Sequence, residues 1–213
     1  MNVLQSAVEA VRNGNLLVLP TDTVYGLGCD PFNPSAVEKL LSTKHRGLSM
    51  PPPVLGAAPQ AVFPLVEFGS EEQRAAALAL AKKFWPGPLT IILSAAPGLA
   101  WDTSAVSGTV AVRVPNEKVT LELLAATGPL AVTSANPTGE PPARTLGQAE
   151  NYFGATVATY VDGGDLGEGC PSTIVDLSAF PSWKCLRAGG VTEKQVASVI
   201  EALPGRKMRL GSA

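Results

Sequence analysis

Residues 2–13 place Val3, Leu4, Ala7, Val8 and Val11 at helical spacing, with Gly14 positioned to stop the helix. Leu16–Leu19 is a short apolar run that reads as a buried strand, and Pro20 ends it because proline has no N–H for a ladder. Asn33-Pro34 reads as an N-cap and first-turn proline for a second helix with Ala36, Val37, Leu40 and Leu41 on its apolar face. Val54-Leu55 begins a short strand, and a weakly patterned helix is expected over 60–68. Ser70 with Gln73 forms a capping box ahead of an alanine-rich helix that stops at Pro86. Leu89–Leu93 is a strand. Thr109–Val114 alternates, so Thr109, Ala111 and Arg113 share one strand face.

Asn116 is placed to cap a helix carrying Val119, Leu121, Leu123 and Leu124, which ends at Thr127-Gly128. Pro129–Thr133 reads as strand, residues 145–152 as a short helix and Thr156–Val161 as strand. A tight turn at Asp162–Asp165 follows. Ser172–Leu177 and Trp183–Arg187 read as neighbouring strands, and Thr192 with Gln195 caps a last helix running to about Leu203. Helices and strands interleave with neither repeat nor linker, which points to one α/β domain over 1–205 and a frayed basic tail at 206–213.

Composition narrows the function. The 213 residues are 46% hydrophobic and 16% charged, enough for a substantial core. A net charge of −2 gives no global drive toward a polyanion, so nucleic-acid contact would depend on a local patch. Three scattered cysteines without a CxxC pair fit a reducing compartment and neither a disulfide framework nor a zinc site. His45 is the single histidine, so HExxH and histidine-rich metal sites are excluded. No serine lies in a GxSxG elbow. With neither signal peptide nor membrane span, a cytoplasmic, soluble protein is expected.

The candidate chemistry gathers in loops. Pro20–Gly28 (PTDTVYGLG) offers two threonine hydroxyls, a carboxylate, a phenol and two glycines, expected as a loop at the carboxyl edge of a sheet. Ser134–Pro142 is a second strand end rich in hydroxyl and amide groups, and two such loops can face one crevice. Lys44-His45-Arg46 closes the second helix, serving either its macrodipole or an anion. Arg113, at the end of a central strand, needs an anion to offset its burial, whether a carboxylate or phosphate ligand or a salt-bridge partner. The glycines at 26 and 28 lack the third of a dinucleotide fingerprint, and no P-loop is present.

These motifs carry a resemblance. PTDTVYGLG at 20–28, Lys44-His45-Arg46, Pro86–Thr90 (PGPLT), Val110–Pro115 (VAVRVP), Thr133–Gly139 (TSANPTG) and Pro171–Asp176 (PSTIVD) occur in that order. Together, over roughly residues 5 to 200, they resemble the short, single-domain form of the YrdC-type threonylcarbamoyl-adenylate synthases. The resemblance implies a twisted, open mixed sheet flanked by helices, with a concave, positively lined groove. It implies synthesis of threonylcarbamoyl-adenylate from L-threonine, bicarbonate and ATP, with Mg2+ accompanying the nucleotide and pyrophosphate released. The product would pass to the proteins that transfer threonylcarbamoyl groups to tRNA.

Residue by residue, the resemblance assigns Thr23, Arg113 and Ser172 to the substrate threonine. Lys44, Arg46, Ser134 and Asn136 would serve nucleotide and catalysis, with Thr109, Arg187, Met50 and Arg144 on the nucleotide. Two positions depart from the pattern. Met50 stands where a further basic residue is common, followed by Pro51-Pro52-Pro53, and Arg144 stands where threonine or serine is common. Asp22 receives no role from the resemblance, and a structural one is expected.

Two rival readings remain. The same fold occurs as a carbamoyl-transfer domain of hydrogenase-maturation proteins, whose zinc-finger-like segments these cysteines exclude. The other is a module for double-stranded RNA or tRNA that makes no adenylate, which the charge of −2 disfavours.

Overall fold

The computed structural model describes residues 2–45, 51–99 and 106–204. In chain order the elements are α1 (Val3–Arg12), β1 (Leu17–Leu19), β2 (Gly26–Cys29), α2 (Pro34–Thr43), β3 (Val54–Leu55) and α3 (Pro59–Val62). Then come β4 (Val66–Glu67), α4 (Glu71–Phe84), β5 (Leu89–Ala95), β6 (Thr109–Arg113), α5 (Lys118–Thr127) and β7 (Leu130–Ser134). The chain closes with α6 (Leu146–Phe153), β8 (Thr159–Tyr160), β9 (Thr173–Asp176), β10 (Lys184–Arg187) and α7 (Glu193–Glu201).

The strands form one mixed sheet in the order β10-β9-β5-β6-β3-β7-β2-β1-β8, with β4 paired to β5. Helices cover both faces, and the strand alternation shows how. Leu17 and Leu19 of β1 and Leu130 and Val132 of β7 pack with Ala7 and Val11 of α1 and Leu123 and Leu124 of α5. Val18 and Ala131, one residue out of phase, join Leu27, Leu40 of α2, Leu80 of α4 and Ile200 of α7 on the other face. Every residue of β1 is therefore buried, as a strand covered on both faces requires. Each fully buried leucine contributes about 1.5–3 kcal/mol.

Helix boundaries follow local chemistry. Asn33 Oδ1 accepts the amides of Ser35 and Ala36 at 3.1 and 3.2 Å, opening α2 at Pro34 as the sequence predicts. The boxes at Thr145/Gln148 and Thr192/Gln195 are both complete.

Five expectations are corrected. Gly26–Cys29 is a strand, not part of a loop: it pairs antiparallel with both β1 and β7. Its polar and glycine composition hides that pairing. The helix expected over 60–68 is only Pro59–Val62, followed by a 3-10 turn at Phe63–Leu65 and β4; Pro64 lacks the N–H that a longer helix needs. Glu117, not Asn116, caps α5, accepting the Val119 amide at 3.3 Å. Gln73 Oε1 accepts from Gly69 N–H at 2.6 Å and not from Ser70, because Nε2 is drawn to the Leu177 carbonyl at 2.7 Å. The strand expected at 156–161 is reduced to Thr159–Tyr160, a 3-10 turn taking Gly154–Thr156. Arg46, Met50, Trp101 and the basic tail lie outside the described residues.

Candidate active site

Strand directions decide where polar groups meet. β1 and β7 both run antiparallel to β2, so the loops leaving them, Pro20–Tyr25 and Ala135–Arg144, emerge at the same end. Ala135 N–H donates to the Tyr25 carbonyl at 2.8 Å, and Tyr25 N–H donates to the Ala143 carbonyl at 2.9 Å, which zips the two loops together. The two strand-end loops thus share one site.

Arg113 arrives differently. Leu55 pairs with both Arg113 and Leu130, whereas Ser134 lies four residues further along β7. The carboxyl ends of β6 and β7 therefore do not share an edge, and Arg113 joins the two loops from a different part of the sheet. Loop Pro20–Tyr25 reaches back to Arg113. Nη2 donates to Asp22 Oδ1 at 2.5 Å and Nη1 to Thr23 Oγ1 at 3.4 Å, while Nε donates to the Gly87 carbonyl at 3.0 Å. Asp22 is the residue that sequence reasoning left unplaced, and its role is to pair with this guanidinium. A lone buried arginine on an alternating strand signals that a partner exists, but not where in the sequence it lies.

Burial is the main influence lowering the Arg113 pKa; Asp22 opposes it and Arg187 adds to it. Arginine nonetheless stays cationic in proteins. Arg187 is exposed as a residue, yet partial desolvation of its guanidinium shifts its pKa the same way. Two guanidinium groups close enough to repel, with one carboxylate on the first, leave a local excess of positive charge.

Ser172 joins them. Its hydroxyl lies 2.9 Å from Thr90 Oγ1 and accepts from Arg187 Nη2 at 2.8 Å. Arg187 Nε also donates to the Ser172 carbonyl at 2.9 Å, so β10 is bolted to the start of β9. Thr90 is a positioning group that its apolar strand context hides.

Thr23 is buried and held by its neighbour. Thr21 Oγ1 accepts the amides of Thr23 and Val24 at 3.1 and 3.2 Å and donates to the Val24 carbonyl at 2.6 Å. Its one proton is thereby spent, so in the 2.9 Å contact between the two hydroxyls Thr23 is the donor. The Thr23 lone pairs then face Arg113.

On the far side, Lys44 caps α2 and is 3% exposed. Nζ donates to the Ser134 carbonyl at 2.6 Å and to Asn136 Oδ1 at 3.1 Å. The Lys44 carbonyl accepts from Thr138 Oγ1 at 2.6 Å. Asn136 completes the loop through Nδ2, which donates to Glu140 at 2.6 Å.

Thr109 and Arg144 stand apart from this cluster. Thr109 Oγ1 donates to the Val106 carbonyl at 2.8 Å. Arg144 donates to the carbonyls of Gly167 at 2.5 Å and Gly169 at 3.2 Å, holding the strap 162–171. Tyr25 pins the same strap, its phenol accepting from Gly163 N–H at 2.9 Å and donating to the Gly164 carbonyl at 2.8 Å. Gly169 lies so close that a Cβ there would meet the Thr23 carbonyl at 3.2 Å.

A mixed sheet whose two strand-end loops are joined beside a paired guanidinium, a buried lysine and several hydroxyls defines a class: α/β proteins that gather cationic and hydroxyl donors at one site. The chain belongs to the Sua5/YciO/YrdC family, whose model, described as telomere recombination, matches residues 9–189. It is 42% identical over 202 residues to a Mycobacterium leprae protein that bears the name threonylcarbamoyl-AMP synthase provisionally, covering 94% of this chain and 89% of that one. A Pseudomonas aeruginosa threonylcarbamoyl-AMP synthase is 37% identical over 173 residues, covering 81% and 91%. The crystal structure of Pyrococcus abyssi Sua5 complexed with L-threonine superposes with a TM-score of 0.83 at 32% identity. That match covers 92% of this chain, which spans only 57% of the Pyrococcus protein. Escherichia coli YciO, at 24% identity and a TM-score of 0.77, shares the fold.

Proposed function

We propose that the chain is a threonylcarbamoyl-AMP synthase: it makes threonylcarbamoyl-adenylate from L-threonine, bicarbonate and ATP and releases pyrophosphate. The observation that carries this reading is that Arg113 holds Thr23 while Ser172 holds Arg187, whose charge acts on Arg113, in a family that includes a structure with L-threonine bound.

The chemistry asks for alignment and charge neutralisation. The threonine ammonium gives up two protons, one of which carries the hydroxyl of bicarbonate away as water, and its nitrogen bonds to the carbon so released as CO2, giving a carbamate. A carbamate oxygen then bonds to the α-phosphorus as the bond to the bridging oxygen breaks, and pyrophosphate leaves with that electron pair. Arg113 binds the threonine carboxylate, with Thr23 and Ser172 orienting the substrate. Lys44 and Arg46 take nucleotide phosphates, with Ser134 and Asn136 holding Lys44. Arg187, Thr109, Met50 and Arg144 are assigned to the nucleotide, although Thr109 and Arg144 hold local carbonyls here. Preorganised donors of this kind stabilise charge that builds up in phosphoryl transfer.

Magnesium enters with ATP. Among the described residues no three carboxylate, histidine or cysteine groups converge, and guanidinium, ammonium and hydroxyl groups suit phosphate oxygens. The fit is to an ion held by the nucleotide, where it would neutralise phosphate charge. The product would serve the proteins that place threonylcarbamoyl on tRNA, and any direct tRNA contact would be weak at this net charge. Among the described residues no helix is long and apolar enough to cross a membrane.

The test is pyrophosphate release by the purified protein with ATP and magnesium. Release that needs both L-threonine and bicarbonate is expected. Folded protein that releases none, yet shifts duplex RNA in a salt-sensitive way, would establish the RNA module instead.

A further inference from the structure

Asp22 carries an unanswered atom. Its Oδ1 is taken by Arg113, but Oδ2 is buried and is the only buried side-chain nitrogen or oxygen among the described residues without a hydrogen-bond partner. A buried carboxylate oxygen facing nothing is costly, and such exceptions call for a ligand or a functional reason. The loop offers it no donor: the Thr21 hydroxyl is spent on the Val24 carbonyl, and Thr23 turns to Thr21 and Arg113.

Arg113 is incomplete as well. Of the five N–H donors of a guanidinium, three are engaged, on Gly87, Thr23 and Asp22. Two remain. An unsatisfied acceptor and two unsatisfied donors therefore flank a single ion-pair contact of 2.5 Å.

We propose that Asp22 receives the α-ammonium group of the amino-acid substrate through Oδ2, while the spare N–H groups of Arg113 hold the α-carboxylate. An α-amino acid bears both charges on one carbon, which matches this adjacent pair. The Asp22 oxygen favours a ligand that carries its own ammonium group over a phosphate, which would bring a second anion against that oxygen. Asp22 thus separates the amino-acid end of the site from the nucleotide end. This assignment rests on the adenylate-synthase reading and sharpens it.

The test is calorimetric binding to the full chain in the presence of α,β-methylene ATP. Two ligands are compared: L-threonine and (2S,3R)-2,3-dihydroxybutyrate, in which a hydroxyl replaces the ammonium group. Wild-type protein is expected to prefer threonine by about 30-fold, the worth of one charge-assisted buried hydrogen bond. Asp22→Asn keeps the contact to Arg113 and presents an amide in place of Oδ2. Its preference should fall to within about threefold, with nucleotide affinity little changed. A variant that retains the wild-type preference overturns the assignment. If Asp22→Asn does not fold, the wild-type comparison decides alone: threonine binding without preference over the dihydroxy acid overturns it. Wild-type protein that binds no threonine at all overturns the synthase reading as well.

Discussion

The Lys44 ammonium lies 2.6 Å from the Ser134 carbonyl, which ties the end of α2 to the end of β7. The same residue's carbonyl accepts from Thr138, so Lys44 is fastened at both ends to one loop. The basic cluster closing α2 therefore begins with a buried, anchored lysine, followed by His45 at φ 50°. Lys44→Met should lower kcat/KM for ATP by about 100-fold or more and cost about 1–3 kcal/mol of stability, since a buried and a half-buried acceptor lose their donor. Urea unfolding and pyrophosphate release measure the two effects. A variant as stable and active as wild type would show that the tie is dispensable.

Arg113→Ala removes the partner of a buried carboxylate as well as the proposed carboxylate receptor. Breaking one side of a buried pair costs about 3–5 kcal/mol, so a large fall in stability should accompany loss of threonine use. Arg113→Lys restores charge but not the fork that spans Gly87, Asp22 and Thr23. It should recover stability better than it recovers the KM for threonine. Unchanged threonine dependence in Arg113→Ala would show that the carboxylate binds elsewhere.

Much of this site was legible in the sequence because its parts are local. The alternation of Thr109–Val114 exposed Arg113 as a buried charge, and apolar runs ending in hydroxyl-rich loops marked both strand ends. What was not legible depends on pairing at a distance. Gly26–Cys29 became a strand because two partners flank it, and nothing in GLGC announces that. Asp22 and Arg113 are separated by 91 positions, and only the return of the β1–β2 loop across the sheet brings them together. Arg144 stands out in sequence only as a departure from the family pattern; that it clasps a strap carbonyl 23 positions on is visible in the fold alone.

That clasp gives a discriminating experiment. Arg144→Ala frees the Gly167 and Gly169 carbonyls, so strap 162–171 should lose protection in amide exchange by about 5–30-fold, matching about 1–2 kcal/mol of lost hydrogen bonding. Tyr25→Phe, which removes the other pin, should do the same to Gly163. An Arg144→Ala strap as protected as wild type would assign that side chain to the nucleotide alone.

Gly26 tests how tightly the hairpin seats on β7. A Cβ at that position would lie 2.5 Å from Val132 Cγ1. Gly26→Ala is therefore expected to cost about 1–3 kcal/mol by overpacking. Adding Val132→Ala removes the clash, and the double variant should be more stable than the sum of the two single losses. Strict additivity in urea unfolding would show that the strands part without strain.

Cys29 sets an upper pH limit on the fold. It is fully buried at the end of β2, and burial, aided by Asp30, pushes its thiol pKa from 9.0 up to about 12. The folded state therefore holds a proton that the unfolded chain gives up above pH 9.0. With more protons bound in the native state, stability falls as pH rises. The contribution is fully present below pH 9.0 and is lost as pH climbs through about 12. The slope from this one group is at most about 1.4 kcal/mol per pH unit. Cys29→Ala should flatten the alkaline limb of a urea-midpoint profile, while below pH 9 only its packing loss should show. A thiol reagent at pH 8 should label exposed Cys170 quickly and leave Cys29 untouched until the protein unfolds. An alkaline limb equally steep in Cys29→Ala would show that other groups set the limit.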